Sequence, residues 1–306
     1  MPSHALISLD SVIVAVTDDA PRVLVMTDGD AQALPSGPLD LLAHPTLERG
    51  MRAWVAQRTG LTLGHVEQLY TFGDRFRDPR EAAGGPRVIS TAYLALVREG
   101  RPADGFESAW ADWYGFLPWE DWRAGRPALL ETRIRPLLRE FAARLPENHA
   151  RACQCFGLEG WPWDPERSLE RYELLWEAGL VAEARRGRET AATVPGRPMA
   201  RDHRRILATA LGRLRGKLKY RPLVFELLPE RFTLGQLQRL VEALAGQPLH
   251  TQNFRRLVAN AGLVEATGQQ IHATGGRPAG LFRFRREVLH ERPAPGVGLP
   301  KAVREA

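Results

Sequence analysis

The side chains whose types and spacing best suit a binding role lie in the last third of the chain, on a predicted short helix. They carry hydroxyl, carboxamide or guanidinium groups: Thr251, Gln252, Asn253, Arg255 and Arg256. A carboxamide can form two hydrogen bonds with adenine, and a guanidinium can do the same with guanine or a phosphate. The apolar residues between them recur at intervals of three and four, so the polar set lies opposite a buried stripe. This pattern predicts a helix face that contacts double-stranded DNA.

The elements around this helix have the order of a winged helix-turn-helix. An amphipathic helix begins after the N-cap Thr233 and ends at Gly246, and the second helix ends at Gly262. A strand, a Gly/Pro turn and an arginine-studded strand follow. Major-groove contacts are expected from the helix, and backbone contacts from the wing and the helix before the pair. The residues predicted for those backbone contacts are Arg277, Arg283, Lys217 and Lys219.

The charge of the chain is divided between its halves. From Gly196 onward there are 20 Lys or Arg and 8 Asp or Glu, a net charge of +12, whereas residues 1–195 carry a net charge of −6. A basic nucleic-acid-binding module attached to an acidic domain produces this asymmetry. The alternative is a small helical domain with a solvated basic face.

Length and composition limit the class of protein. At 306 residues the chain holds about two domains. Neither a signal peptide nor a membrane-spanning apolar run is evident, so a cytoplasmic location is expected. The only cysteines are Cys153 and Cys155. His149 precedes Cys153 by four residues, but no second ligand pair has zinc spacing, so free buried thiols and no metal site are expected.

Residues 1–99 have the pattern of a layered domain. Strands are predicted at 6–16, 23–26, 68–72 and 88–97, a loop at 33–40, and a helix at 47–59. This order indicates an α+β or α/β/α arrangement. A long helix over 202–220 is expected to precede the helix-turn-helix pair and to pack beneath it, with its arginines and lysines largely off the apolar face. We expect a linker at 185–198 and a disordered tail at 291–306.

The middle region, residues 100–195, is rich in aromatic residues and in Pro and Gly. Helices are predicted at 133–145 and 165–179. The aromatic side chains could line a nucleotide-base pocket, although aromatic clusters more often form a core or a subunit interface. They are Trp110, Trp113, Tyr114, Phe116, Trp119 and Trp122.

Residues 34–61 resemble the signature box of the Nudix family, in which clustered glutamates bind magnesium. Gly60 and Val55 match the late glycine and the hydrophobic position of that box, but Trp54 replaces a glutamate, and Gln57 and Arg58 replace the metal-binding glutamate pair. Magnesium needs clustered oxygen ligands to activate water, and an arginine repels it. We therefore expect a Nudix-like domain that has lost hydrolase activity.

Residues 68–79, 88–97 and much of 215–285 resemble the Nudix-related transcriptional regulators of NAD metabolism. That resemblance implies a homodimeric repressor with a winged helix and a Nudix-like sensor of ADP-ribose or a related nucleotide. It places Arg75, Arg77 and Arg87 at the rim of the ligand pocket, where they could bind a diphosphate. It does not cover residues 100–195, which are expected to be a helical extension found in a longer subgroup.

The sequence thus predicts a Nudix-like α/β/α sandwich (1–99), an aromatic-rich helical extension and linker (100–195), and a winged helix-turn-helix domain (196–290). The predicted function is a ligand-responsive DNA-binding repressor without a cofactor. Two alternatives stay open: a nucleoside diphosphate hydrolase with an atypical box, and a scaffold whose aromatic region binds a protein partner.

Overall fold

A computed structural model describes residues 5–76, 78–100, 108–143, 145–185, 193–271, 278–291 and 296. The strands are β1 (Ala5–Thr17), β2 (Ala20–Asp28), β3 (Ala31–Ala33), β4 (Ser36–Pro38), β5 (Val66–Phe72), β6 (Arg87–Leu96), β7 (Ser108–Asp112), β8 (Val264–Ile271) and β9 (Ala279–Phe284). The helices are α1 (Leu47–Thr59), α2 (Pro79–Ala82), α3 (Arg135–Ala142), α4 (Pro146–Phe156), α5 (Ser168–Glu177), α6 (Ala182–Arg185), α7 (His203–Leu218), α8 (Leu234–Ala245), α9 (Thr251–Ala261) and α10 (Val288–Glu291). Within these residues, no helix combines the length and apolarity needed to cross a bilayer.

The first seven strands form one mixed sheet. Its strand order is β3-β2-β1-β6-β5, and β4 and β7 pair with β1 and β2. The pairing of β1 with β6 is parallel, and the other pairings are antiparallel. Asp18 and Asp19 join β1 to β2 with positive φ angles of 51° and 58°, which suit a tight hairpin turn. The prediction of a loop throughout 33–40 was wrong, because Ser36–Pro38 form strand β4, which pairs with β1. A proline is tolerated in this strand because β4 pairs with a neighbour along one edge.

Helices cover both faces of this sheet, which confirms the predicted α/β/α sandwich. On one face, Met51 and Val55 of α1 pack with Leu9, Ile13 and Tyr93 in one buried cluster. Helix α1 begins where the Thr46 hydroxyl accepts a hydrogen bond from the Arg49 amide, and it ends at Gly60 with φ 70°. On the other face lies α7, which contacts β1, β5 and β6.

Helix α7 belongs to the sheet domain as much as to the segment that follows it. Eleven of its residues are buried, including Arg204 and Arg215. The helix contacts α8, as expected from the sequence, but also the sheet and α5. The sequence placed its arginines largely off the apolar face, but Arg204 and Arg215 are buried all the same, because a helix enclosed on both sides has no fully solvated face.

The middle region is packed into the same core. Strand β7 extends the sheet beside β2, and Trp113, Tyr114, Phe116 and Trp119 are each at most 3% exposed. The prediction that the aromatic cluster forms core rather than a base pocket is confirmed for these four side chains. Part of the segment expected to be a linker, 185–198, is packed into the protein: Val194 is buried, and its amide donates to Leu180 O (2.9 Å). Residues 186–192 and nearly all of the tail after 291 lie outside the described residues.

A buried ionic network joins the middle region to α7 and α8. Glu120 is fully buried and accepts hydrogen bonds from Arg171 Nε (2.6 Å), Arg215 Nη1 (2.5 Å) and Ser168 Oγ (3.2 Å). Burial alone would raise the pKa of Glu120, but the two guanidiniums hold that pKa below its usual value. Arg215 also donates to Leu244 O at the end of α8 (3.4 Å).

Candidate nucleic-acid interface and ligand cavity

Hydrogen bonds cap helix α8 and join it to the start of α9. Thr233 and Gln236 close a capping box at the start of α8, and Gly246 ends the helix in the left-handed conformation. Gln238 Nε2 donates to Leu249 O (2.9 Å) and Thr251 Oγ1 (3.2 Å), which anchors the start of α9. Four residues of the apolar stripe of α8 are buried, as are Phe254 and Val258 of α9; the four are Leu237, Leu240, Val241 and Leu244.

The polar face of α9 is exposed to solvent. All five residues that the sequence singled out there are exposed: Thr251, Gln252, Asn253, Arg255 and Arg256. Arg256 Nη2 lies 3.5 Å from Asn253 Oδ1, at the limit of a hydrogen bond. Within the described part of the chain, Arg255 has no recorded ion pair. The donors of this face are thus available to an outside partner.

The strands β8 and β9 form the hairpin that follows α9. Phe232 pairs with Phe282 through two backbone hydrogen bonds (2.8 and 2.9 Å), which fixes the hairpin beside α8. Arg283 on β9 forms an ion pair with Glu265 while 60% of its side chain stays exposed. Arg277, predicted at the wing tip, lies in 272–277, outside the described residues.

Unlike the exposed residues of the α9 face, the two lysines predicted to contact phosphates form ion pairs within the protein. Lys217 is 18% exposed and forms an ion pair with Glu67 of β5. Lys219 forms an ion pair with Glu166 and is 47% exposed. Lys217 therefore connects α7 to the sheet, and a phosphate contact would require breaking that pair.

The groove at the degenerate Nudix-like box contains an indole in place of a carboxylate. Trp54 Nε1 donates to Pro38 O (2.8 Å), and the indole lies against Gly37. A Cβ added at Gly37 would come 2.1 Å from the Trp54 ring, so only glycine fits there. Gln57 lines the groove, and Arg58 stacks on the Trp54 ring at 5.2 Å.

Asp40 is the one carboxylate among the described residues that line this groove. Amides of its own loop, Ala43 and Leu42, donate to it and lower its pKa. Glu48, the remaining acid of the box, is held by Arg52 at 2.9 Å. These two acids are satisfied within the protein, and the pair of metal-binding glutamates is missing.

Two of the three arginines predicted at the pocket rim, Arg75 and Arg87, lie at the loop after β5. Arg87 Nε donates to Gly73 O (2.9 Å), and Arg75 is 72% exposed and lies 3.8 Å from Glu81. Arg77 lies outside the described residues. The structure thus brings Arg75 and Arg87 to one loop, and each has a partner: Glu81 of α2 for Arg75 and Gly73 of the loop for Arg87.

A small cavity opens beside this loop, between the sheet and the start of α7. Its lining includes Ser8, Gly73, Arg80, Arg201 and His203. These residues come from three distant segments, so no local motif could have identified them. Arg80 is held by Asp78 (2.7 Å) and Arg201 by Asp28 (3.1 Å), and both guanidiniums are partly exposed.

His203 forms the buried wall of the cavity. Its Nδ1 accepts a hydrogen bond from the Leu34 amide (2.9 Å), and its Nε2 lies 3.8 Å from the buried Asp10 carboxylate. Burial lowers the pKa of His203 to about 4, although Asp10 opposes this shift. The imidazole is therefore neutral at neutral pH.

Comparison with known proteins identifies the last module. Residues 224–284 match the family of NrtR DNA-binding winged helix domains. A relative from Acinetobacter baylyi, the ADPR responsive transcriptional repressor NtrR, is 42% identical over 86 residues, which are 28% of this chain. The match covers 34% of that relative, so the chain spans about a third of the length of the curated protein it resembles.

Solved structures extend the similarity to the whole fold. Shewanella oneidensis NrtR complexed with a 27mer DNA aligns over 93% of this chain and 95% of its own, with a TM-score of 0.56 and 21% identity. A MutT/nudix family protein from Enterococcus faecalis aligns over 93% and 88%, with a TM-score of 0.54 and 16% identity. The described residues thus share the fold of a Nudix-like domain followed by a winged helix.

Proposed function

We propose that this chain, in which an NrtR-type winged helix domain follows a Nudix-like domain, is a DNA-binding transcriptional repressor that responds to ADP-ribose or a related NAD-pathway nucleotide. The observation that carries the proposal is the exposed polar face of α9, whose apolar side is anchored in the core. Arg255 and Arg256 stand on this face next to carboxamide side chains, a set that reads base edges in the major groove.

The front domain supplies the ligand site of this proposal. The related repressor from Acinetobacter baylyi is described as ADPR responsive. In this chain Arg80 and Arg201 line the cavity, Arg75 lies on the adjoining loop, and Arg87 of β6 donates a hydrogen bond to that loop. The oxygens of a diphosphate could replace the carboxylates that pair with these guanidiniums and form charge-assisted hydrogen bonds with them.

Direct contacts join the Nudix-like domain and the middle region to the helix pair. Tyr114 Oη donates to Ala243 O (2.8 Å), and the Trp122 amide donates to Gly246 O (2.7 Å). Arg239 of α8 forms an ion pair with Asp19 in the β1–β2 turn (2.9 Å). In a homodimer, a small movement of the sheet would change the spacing of two α9 helices, and half-site recognition depends on that spacing.

Arg255→Ala is expected to weaken binding to the operator by about 1–3 kcal/mol, because a bidentate base contact contributes that much. The measurement is fluorescence anisotropy with DNA from the region upstream of the chain's own gene. The matched control is Arg49→Ala, which removes an exposed arginine from α1 in the front domain. Equal affinities of Arg255→Ala and the native protein would refute the role of α9.

ADP-ribose is expected to bind the protein without being hydrolysed, with or without magnesium, because Gln57 and Arg58 cannot hold the metal. Calorimetry measures the binding, and chromatography of the nucleotide after incubation measures turnover. The same titration repeated with operator DNA present tests whether the two ligands affect each other's affinity, as linkage requires. Magnesium-dependent hydrolysis at ordinary enzymatic rates would favour the hydrolase alternative instead.

A further inference from the structure

A cluster of three different donor groups lies on α4 and the turn that follows it, away from both the DNA-binding face and the front cavity. His149 and Cys153 are four residues apart, so both project from one face of the helix. The turn after α4 reverses the chain at Gly157 and brings Glu159 back onto that face. The three donor atoms lie within 4.8 Å of one another.

Two of the three distances between donor atoms are close to those of a tetrahedral metal centre. His149 Nε2 lies 3.1 Å from Glu159 Oε2 and 3.7 Å from Cys153 Sγ. Zinc bonds of about 2.1 Å to nitrogen or oxygen and about 2.3 Å to sulfur place such neighbouring donors about 3.4–3.6 Å apart. The donor atoms could therefore enclose one ion after small side-chain rotations.

The three ligand types favour a divalent ion of the zinc class. A thiolate and an imidazole are soft or borderline ligands that zinc prefers and magnesium does not. A thiolate and a carboxylate carry two negative charges, which balance one divalent cation. Cys153 is 3% exposed, whereas the side chains of His149 and Glu159 are 52% and 41% exposed, so an ion can enter from solvent.

We propose that His149, Cys153 and Glu159 form a three-residue site for a zinc-class cation, with the fourth position open to water or an outside ligand. The spacing of His149 and Cys153 alone had suggested no such site, because the third donor comes from beyond the end of the helix. Three protein ligands with an open position are the arrangement of exchangeable or catalytic zinc rather than of closed structural zinc.

Cobalt binding to the full-length protein tests the proposal. After treatment with a chelator, one equivalent of Co²⁺ is expected to produce a thiolate-to-cobalt charge-transfer band together with tetrahedral d–d bands, and Zn²⁺ is expected to displace it. Cys153→Ser is expected to abolish the charge-transfer band. The matched control is Cys155→Ser, since Cys155 is equally buried but lies outside the cluster and should leave the band intact.

Two exposed ligands provide variants that leave the core untouched. His149→Ala and Glu159→Gln are each expected to weaken cobalt binding at least about tenfold, because losing even a residue that only supports a metal ligand typically costs that much. The proposal is overturned if no charge-transfer band forms, if the band persists in Cys153→Ser, or if both exposed variants bind cobalt with native affinity.

Discussion

Glu120→Gln is expected to lower the free energy of unfolding by about 3–5 kcal/mol, because it leaves two buried guanidiniums without a counter-charge. Arg171 and Arg215 are each at most 1% exposed, and both point at the Glu120 carboxylate. The measurement is urea unfolding, followed by tryptophan fluorescence and by far-ultraviolet circular dichroism.

The control for this variant is Glu131→Gln. Glu131 also pairs with two arginines, Arg126 (2.9 Å) and Arg135 (2.8 Å), but its side chain is 44% exposed. Solvent screens that network, so the expected change is below about 1 kcal/mol. Equal losses of unfolding free energy in the two variants would show that burial does not increase the contribution of the Glu120 network to stability.

Acidification is expected to remove a further part of the stability through His203. The imidazole of the unfolded chain takes up a proton near its ordinary pKa of 6.5, whereas the folded protein takes it up only near pH 4. Between these values the unfolded state binds more protons, so stability falls as the pH falls. The shift corresponds to about 3 kcal/mol between about pH 7.5 and pH 4, about 2 kcal/mol of it by pH 5.

Other groups act on the same titration. The lowered pKa of Glu120 adds a loss of stability in the same direction, as the pH falls through its folded-state value. Around His203 itself, Asp10, Asp28 and Asp78 favour its protonation, and Arg201 opposes it. The contribution of His203 must therefore be isolated by substitution.

The substitution His203→Gln isolates the contribution of His203 to the pH dependence, because the amide oxygen of glutamine can still accept the hydrogen bond from Leu34. The difference in unfolding free energy between about pH 7.5 and pH 5 is expected to shrink by about 2 kcal/mol in this variant. His290→Gln, which changes an exposed histidine of α10, should keep the native pH dependence. An unaltered pH dependence in His203→Gln would show that another group titrates.

The sequence by itself determined the helix-turn-helix and the loss of the metal ligands. The apolar spacing of α8 and α9 and the glycines at 246 and 262 are local signals, because a helix face and its end depend on neighbouring residues. The absence of glutamates at Gln57 and Arg58 needs no coordinates at all. These features predicted the DNA-binding face and the loss of hydrolase activity in the Nudix-like domain.

The tertiary structure decided which charged side chains are available to partners. Arg215 lies on a basic helix, yet its counter-charge is Glu120, 95 residues away, and Lys217 finds Glu67 at a separation of 150 residues. Residue spacing encodes which face of a helix is apolar, but the partner of a charge depends on which segments the fold brings together. The cavity at Arg201 and His203 and the meeting of Glu159 with His149 arise from such long-range or turn-dependent contacts, so they became visible only in the folded chain.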